Sequence, residues 1–246
     1  MKKQGSGEIF KSPPLAKGDS GGFVLRLTFF LLLASSPVYA LDLHGFLQGN
    51  YSARVTDDGP PQANGSDYLL SEERFQLKVS ESSKDGSASF FLKTDFFHDG
   101  VDNNDDIEVR EGYIDYTKGA IDLRVGRQII TWGTGDLIFI NDIFPKNYGA
   151  FFSGRPMEYL KGAVDGVKVG LTSETISAEL VAIPEFEANK YPSSERFYLY
   201  DPFPSVTNRN TEMQGDKVGD TELAARLFRY FGSTDVSLYA YKGFYR

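Results

Sequence analysis

Charged side chains recur at every second position along several stretches of this chain. Arg74, Gln76 and Lys78 alternate with Phe75, Leu77 and Val79; Lys93 and Asp95 alternate with Leu92, Thr94 and Phe96; Glu111, Tyr113 and Asp115 alternate with Gly112, Ile114 and Tyr116; Asp122 and Arg124 alternate with Ile121, Leu123 and Val125. Further along, Lys168 lies between Val167 and Val169, Glu179 between Ala178 and Leu180, and Arg226 between Ala225 and Leu227. Successive side chains of a strand point to opposite faces, so this spacing gathers cations and carboxylates on one face and apolar groups on the other. A face of that kind needs water or partners. It suits a hydrated lumen whose transverse field orients ions or polar solutes, or else its charges pair across neighbouring strands and plug the interior.

Covalent chemistry has little material. Histidine occurs only at positions 44 and 98 and cysteine not at all. That leaves almost no material for a Ser-His-Asp or multi-histidine site, and no thiolate metal site, disulfide framework or lipoprotein anchor. We expect no enzyme, no cofactor and no metal. The run Asp99 to Asp106 offers hard oxygen ligands that suit calcium, but it lacks the EF-hand spacing with its glutamate at the twelfth position, and a solvated acidic loop accounts for it more simply.

The elements that carry the charged face follow from the same alternation. From Leu43 to Val55 the period of two holds for about a dozen residues, where soluble strands average nearer five or six. It recurs through 74–80, 88–97, 111–116, 121–126, 167–171, 176–182, 223–227 and 236–240, which makes nine strands. Short turns are expected near 81–87, 117–120, 172–175 and 232–235, and longer connections at 56–71, 98–106, 131–162 and 184–219. This asymmetry is that of outer-membrane barrels, with short periplasmic turns and long outer loops. The expected class is all-β, an antiparallel transmembrane β-barrel of which about nine strands are present. Single-chain bacterial barrels have even strand counts, so residues 41–246 are expected to be the N-terminal portion of a barrel with five or more strands still to come.

The connection from Thr131 to Gly162 is unusually apolar for a loop. Trp132, Phe139, Phe144 and Tyr148, with Asp136 among them, make it a candidate constriction folded into the lumen; the alternative is an outer flap on the rim or on a neighbouring subunit. Asp57, Asp58 and the stretch Asp201 to Pro204 read as plain loop.

Residues 1–40 read as an export signal. Leu25 to Ser36 is an apolar run too short to span a bilayer, basic residues precede it, and Val38 and Ala40 supply the small side chains of a cleavage site after Ala40. Residues 1–23 are Gly/Ser/Pro-rich and add nothing to such a signal, and the true start is expected near Val24 or Leu25. Beyond Ala40 there are 21 Lys and Arg against 32 Asp and Glu, a net charge of −11, which argues against nucleic-acid binding. A mean hydropathy of −0.32 is no objection to a barrel, whose strands alternate.

The segment Asp122 to Tyr148 (DLRVGRQIITWGTGDLIFINDIFPKNY) resembles the GRQ-x-x-x-WG segment of a porin-like family of Gram-negative outer-membrane proteins, largely of unknown function, and is similar to alginate-export-type barrels. Gly126, Arg127, Gln128, Trp132 and Gly133 carry the likeness. It implies a porin-like barrel of 14 to 18 strands and no particular substrate or functional residue. Arg127 departs from the alternation, sharing parity with the apolar Ile121, Leu123 and Val125, so it either sits at the rim or is turned by a bulge at Gly126. Altogether the expectation is an outer-membrane channel for passive passage of ions or small polar solutes, in contact with lipid, with room for a homo-oligomer. Its lumen would be lined by Arg74, Lys78, Lys93, Asp95, Glu111, Asp115, Arg124, Lys168 and Arg226. The alternative is an adhesin or structural barrel with a plugged interior.

Overall fold

The computed structural model describes residues 41–55, 59–60, 68–133, 139–200, 203 and 220–244. The chain divides into residues 1–40 and Leu41–Arg246, and every described residue belongs to the second unit. The expected export signal, Asp57, Asp58, Asp136 and all of Asp201 to Pro204 except Phe203 lie outside the described residues.

Nine strands follow one another: β1 (Asp42–Ala53), β2 (Tyr68–Ser82), β3 (Ala88–Asp99), β4 (Asn104–Lys118), β5 (Ile121–Gln128), β6 (Val164–Leu171), β7 (Ser177–Ile183), β8 (Glu222–Phe231) and β9 (Thr234–Lys242). They form one antiparallel sheet in chain order, each strand paired with its sequence neighbours, with β1 and β9 at the two edges. The described residues are therefore all-β, with nine strands in one open sheet. A short helix, α1 (Tyr148–Phe152), and a 3₁₀ turn (Met157–Tyr159) lie in the connection between β5 and β6. Among the described residues no helix is long and apolar enough to cross a membrane, which leaves crossing by strands unaddressed.

Register makes the two faces continuous. Arg74 pairs with Phe97, Gln76 with Asp95, Lys78 with Lys93, Asp115 with Arg124, Arg124 with Lys168, and Glu179 with Arg226, all on the polar side. On the other side Phe75 pairs with Phe96 and their rings stack at 5.9 Å, while Leu123 pairs with Val169 and Leu227 with Leu238. Burial is inverted relative to a water-soluble sheet. Leu47 is 81% exposed and Leu238 69%, whereas Gln76 and Asp95 are fully buried.

One irregularity corrects the reading of the sequence. Lys93 pairs with Glu111 but Thr94 pairs with Val109, so Arg110 is an extra residue, a bulge in β4. The bulge changes parity: Ile107 and Val109 join the apolar face before it, Gly112, Ile114 and Tyr116 after it, and both Arg110 and Glu111 serve the polar side. Strand β4 thus begins at Asn104, and the long connection expected at 98–106 is a tight turn over 100–103. The other long connections, 54–67, 129–163 and 184–221, emerge at that same end of the sheet, and the turns 83–87, 119–120, 172–176 and 232–233 at the other.

The β4–β5 ladder is regular from Lys118 to Gly112, so Gly126 makes no bulge and Arg127 stays on the apolar side. It lies near the strand end, where its guanidinium donates to the Val109 carbonyl (2.9 Å), Asp165 (3.0 Å) and Glu187 (3.2 Å). Gly126 itself has φ +128, and a Cβ there would stand 2.3 Å from the Gly112 carbonyl oxygen. Gly126→Ala is therefore expected to destabilise the sheet by about 1–3 kcal/mol, read as a lower denaturant midpoint, with a neutral outcome overturning the close-approach argument.

Candidate functional site

The polar face divides into a covered region and an open one. At the centre of the covered region Arg74 donates Nε to Glu72 (2.7 Å) and a terminal nitrogen to Asp95 (2.6 Å), and the Gln76 amide donates to Asp95 at 2.8 Å. These groups are spaced two apart on β2 and face β3, so strand parity alone places them together. Burying charges is costly unless they are paired and hydrogen-bonded, and this set meets that condition. The Arg74 guanidinium also lies between two rings, 4.4 Å from the centroid of Phe97 and 4.5 Å from that of Tyr159. Arg110, aimed to the same side by the bulge, lies over Tyr159 at 4.6 Å and donates to the Glu158 carbonyl at 2.8 Å.

Tyr159 and Glu158 belong to the connection between β5 and β6, which folds onto the polar face. Lys93 reaches Glu158 at 2.9 Å and Glu111 at 3.5 Å. Arg155 binds Glu72 at 2.6 Å and Asp99 at 3.4 Å. At the start of the same connection Trp132 packs against Phe144 (5.2 Å between centroids) and Tyr239 of β9 (5.5 Å), and its indole N–H donates to Glu179 of β7. It sits in a buried cluster with Ile130, Phe144, Val164, Val181, Ile183 and Ala224. Val181 and Ile183 occupy polar-side positions of β7, so the sheet is apolar where the tryptophan lands.

A second connection, between β7 and β8, is tied to the first. Lys190 N–H donates to the Lys146 carbonyl at 2.8 Å, Tyr148 N–H to the Lys190 carbonyl at 2.7 Å, and the Tyr148 and Tyr191 rings stack at 5.7 Å. Asn147 caps α1 by accepting from Ala150 N–H. Arg196 then donates to Asp99, Asp102 (2.9 Å) and the Leu69 carbonyl (2.9 Å). Asp99 therefore receives a guanidinium from each of these two connections.

The open region carries three partly exposed pairs. Arg124 makes a two-pronged contact with Asp115 (2.6 and 2.8 Å) with its plane 3.8 Å from the Tyr113 ring; Lys168 stands 4.0 Å from Glu179; Arg226 meets Asp235 at 3.1 Å. Such pairs contribute roughly 0–1 kcal/mol each to stability.

Of the residues singled out for the face, Arg74, Lys93, Asp95 and Glu111 come under the cover, Asp115, Arg124, Lys168 and Arg226 lie in the open region, and Lys78 stands beside Lys93 in register. Of those singled out for the connection, Trp132 and Phe144 touch each other, the Phe139 ring lies 5.0 Å from the Lys146 ammonium, and Tyr148 faces Tyr191. Asp136 lies outside the described residues. Sequence reasoning missed Glu72, Arg110, Arg155, Glu158 and Arg196, and read Asp99 only as part of a solvated acidic loop. Glu72 shares the parity of Arg74 and was within reach; the others depend on a bulge or on long-range contacts. The acidic run serves as an arginine receptor at Asp99 and Asp102, while Asp105 pairs with His98 at 2.8 Å. Among the described residues no group of three His, Cys, Asp or Glu side chains is placed to hold a metal.

Glu158 titrates below the usual glutamate range. Partial burial works against this, but the Lys93 hydrogen bond and charge, with Lys78 and Arg110, outweigh it. A depressed carboxyl contributes stability above its unfolded value, near pH 4.3, and loses it as pH falls through the lower folded value. The Lys93–Glu158 tie is thus expected to persist at pH 5 and to loosen only under stronger acid. Carboxyl-detected NMR of the Glu158 side chain checks this: its midpoint should rise toward an ordinary glutamate in Lys93→Met, and no rise would remove Lys93 as the cause.

Neither a family model, nor a curated protein, nor a solved structure matches this chain.

Proposed function

We propose that this chain forms the wall of an outer-membrane β-barrel and that the barrel is a porin-like channel for passive passage of ions or small polar solutes. The observation that carries this is the alternation of the sheet: exposed apolar side chains such as Leu43, Leu47, Phe75, Ile114, Val125, Leu180 and Leu238 share one face, while the charged pairs lie on the other, which turns apolar where Trp132 packs. A lipid environment makes that exposed band favourable, since burial of apolar surface is worth roughly 25 cal/mol per Å². Strands of 12, 15, 12 and 15 residues in β1 to β4 exceed the 9–11 needed to cross a bilayer; β5 to β7, at 8, 8 and 7 residues, are shorter. In lipid both edges need partners, because an unpaired backbone group there costs several kcal/mol. With β1 and β9 running in the same direction, antiparallel closure takes an odd number of additional strands. The resemblance of the Gly126 to Gly133 segment to porin-like proteins agrees with this assignment.

The polar side would be the lumen, and the β5–β6 connection its constriction. Support comes from the contacts of that connection with β2, β3, β4, β7 and β9, all on the polar face. The same contacts favour a second reading, a plugged structural barrel or adhesin, because Arg74, Gln76 and Asp95 are closed off from water.

Conductance separates the two. The protein reconstituted with its barrel closed is expected to give discrete steps in planar bilayers, and shortening residues 139–160 to a Gly-Ser linker should raise the step size. Absence of steps from both forms would leave the plugged barrel standing, and equal steps from both would remove the constriction while keeping the channel.

A further inference from the structure

The turn between β3 and β4 and the β5–β6 and β7–β8 connections line an open cavity of about 290 Å³, separate from the charge pairs deeper on the face. Taking about 30 Å³ per water, it has room for roughly ten waters, which suits one compact solute. Each cation of the lining is held by at least one carboxylate, two of which, Glu72 and Asp95, lie behind the lining. Arg74 holds Glu72 and Asp95; Arg155 and Arg196 share Asp99; Arg196 also holds Asp102; Lys190 (3.3 Å) and Arg110 (3.7 Å) flank Glu108. An anion would have to draw a guanidinium away from its carboxylate, and a cation the reverse, each leaving a charge poorly paired in a partly dry place.

A neutral solute rich in hydroxyl groups meets no such cost. It can donate to the accessible carboxylate edges of Asp102 and Glu108, exchange hydrogen bonds with Asn104, and leave every ion pair in place. The cavity also has an aromatic surface: Tyr191 lines it, is 66% exposed, and is held flat against Tyr148. A rigid, pre-stacked ring beside hydrogen-bonding groups offers an apolar contact for the C–H face of a pyranose, with little entropy to lose on binding.

We infer that this cavity is a binding site for a neutral, hydroxyl-rich solute of monosaccharide size, held between the carboxylates of Asp102 and Glu108 and the ring of Tyr191. This rests on the proposal that polar solutes travel along the polar face, and it names their class.

The test is direct binding to the whole chain refolded in detergent micelles, using D-glucose as probe, with saturation-transfer NMR and calorimetry as readouts. Saturable binding is expected in the millimolar range, without competition from acetate or glycine at equal concentration. Tyr191→Ala, at an exposed position, should weaken it roughly fivefold, and Asn104→Ala, on the strand side of the cavity, should weaken it as well. Failure to saturate, displacement of glucose by acetate, or unchanged binding in both variants would overturn the assignment. Because binding is read without conductance, a chain that conducts but does not bind glucose refutes this inference alone, and one that binds but does not conduct refutes the channel alone.

Discussion

The Arg74 guanidinium sets the terms for much of this structure. Held by Glu72 and Asp95 and sandwiched between Phe97 and Tyr159, it is 3% exposed. Breaking a buried pair by removing one partner typically costs about 3–5 kcal/mol, because the survivor is stranded. The surrounding chain is arranged to prevent that. Phe97 arrives by register from β3, Tyr159 from a connection that leaves the sheet at Gln128 and returns at Val164, and Arg155 compensates the second oxygen of Glu72. Tyr159 closes the site from above and in turn needs Arg110, which only the β4 bulge turns to this side. A defect in one strand ladder and the path of a distant loop therefore serve one ion pair.

Strand parity makes the sheet legible in the sequence. Alternation of Leu43 to Val55 and its repeats located all nine strands and assigned Arg74, Lys93, Asp95, Asp115 and Arg124 to a common face, because a period of two leaves no freedom in where side chains point. It failed at Arg110 for the same reason. One inserted residue moves the apolar positions from odd numbers, Ile107 and Val109, to even ones, Gly112 and Ile114, and a strand that changes parity midway reads as half strand and half loop.

The cover over the face was less legible. The aromatic content of residues 131–162 showed that the segment had apolar surface to bury, yet not where. Its landing point had left a trace: Val181, Ile183 and Ala224 are apolar on the side where Glu179 and Arg226 are charged, a local reversal that marks a place reserved for Trp132 and Phe144. Partners such as Arg155 with Glu72 and Arg196 with Asp99 left none. They join residues 83 and 97 apart in the chain, and no periodicity connects them.

Covering one part of the face and leaving another open has a physical consequence. Near Arg74 the charges are buried and multiply paired, so they fix the positions of the connections between β5 and β6 and between β7 and β8. Around Asp115–Arg124, Lys168–Glu179 and Arg226–Asp235 the pairs are partly exposed, reached by water and individually weak, so on the proposed channel a passing solute would exchange hydrogen bonds with them at small cost. If both regions were dry the interior would be a second core, and if both were wet nothing would hold the aromatic connection in place. Asp99 links the two long connections by accepting Arg155 from one and Arg196 from the other, so neither can lift without unpairing a guanidinium shared through the same carboxylate. On the proposed channel, any widening of the constriction therefore involves both connections together, and the backbone hydrogen bonds between Lys146, Tyr148 and Lys190 make them move as one piece.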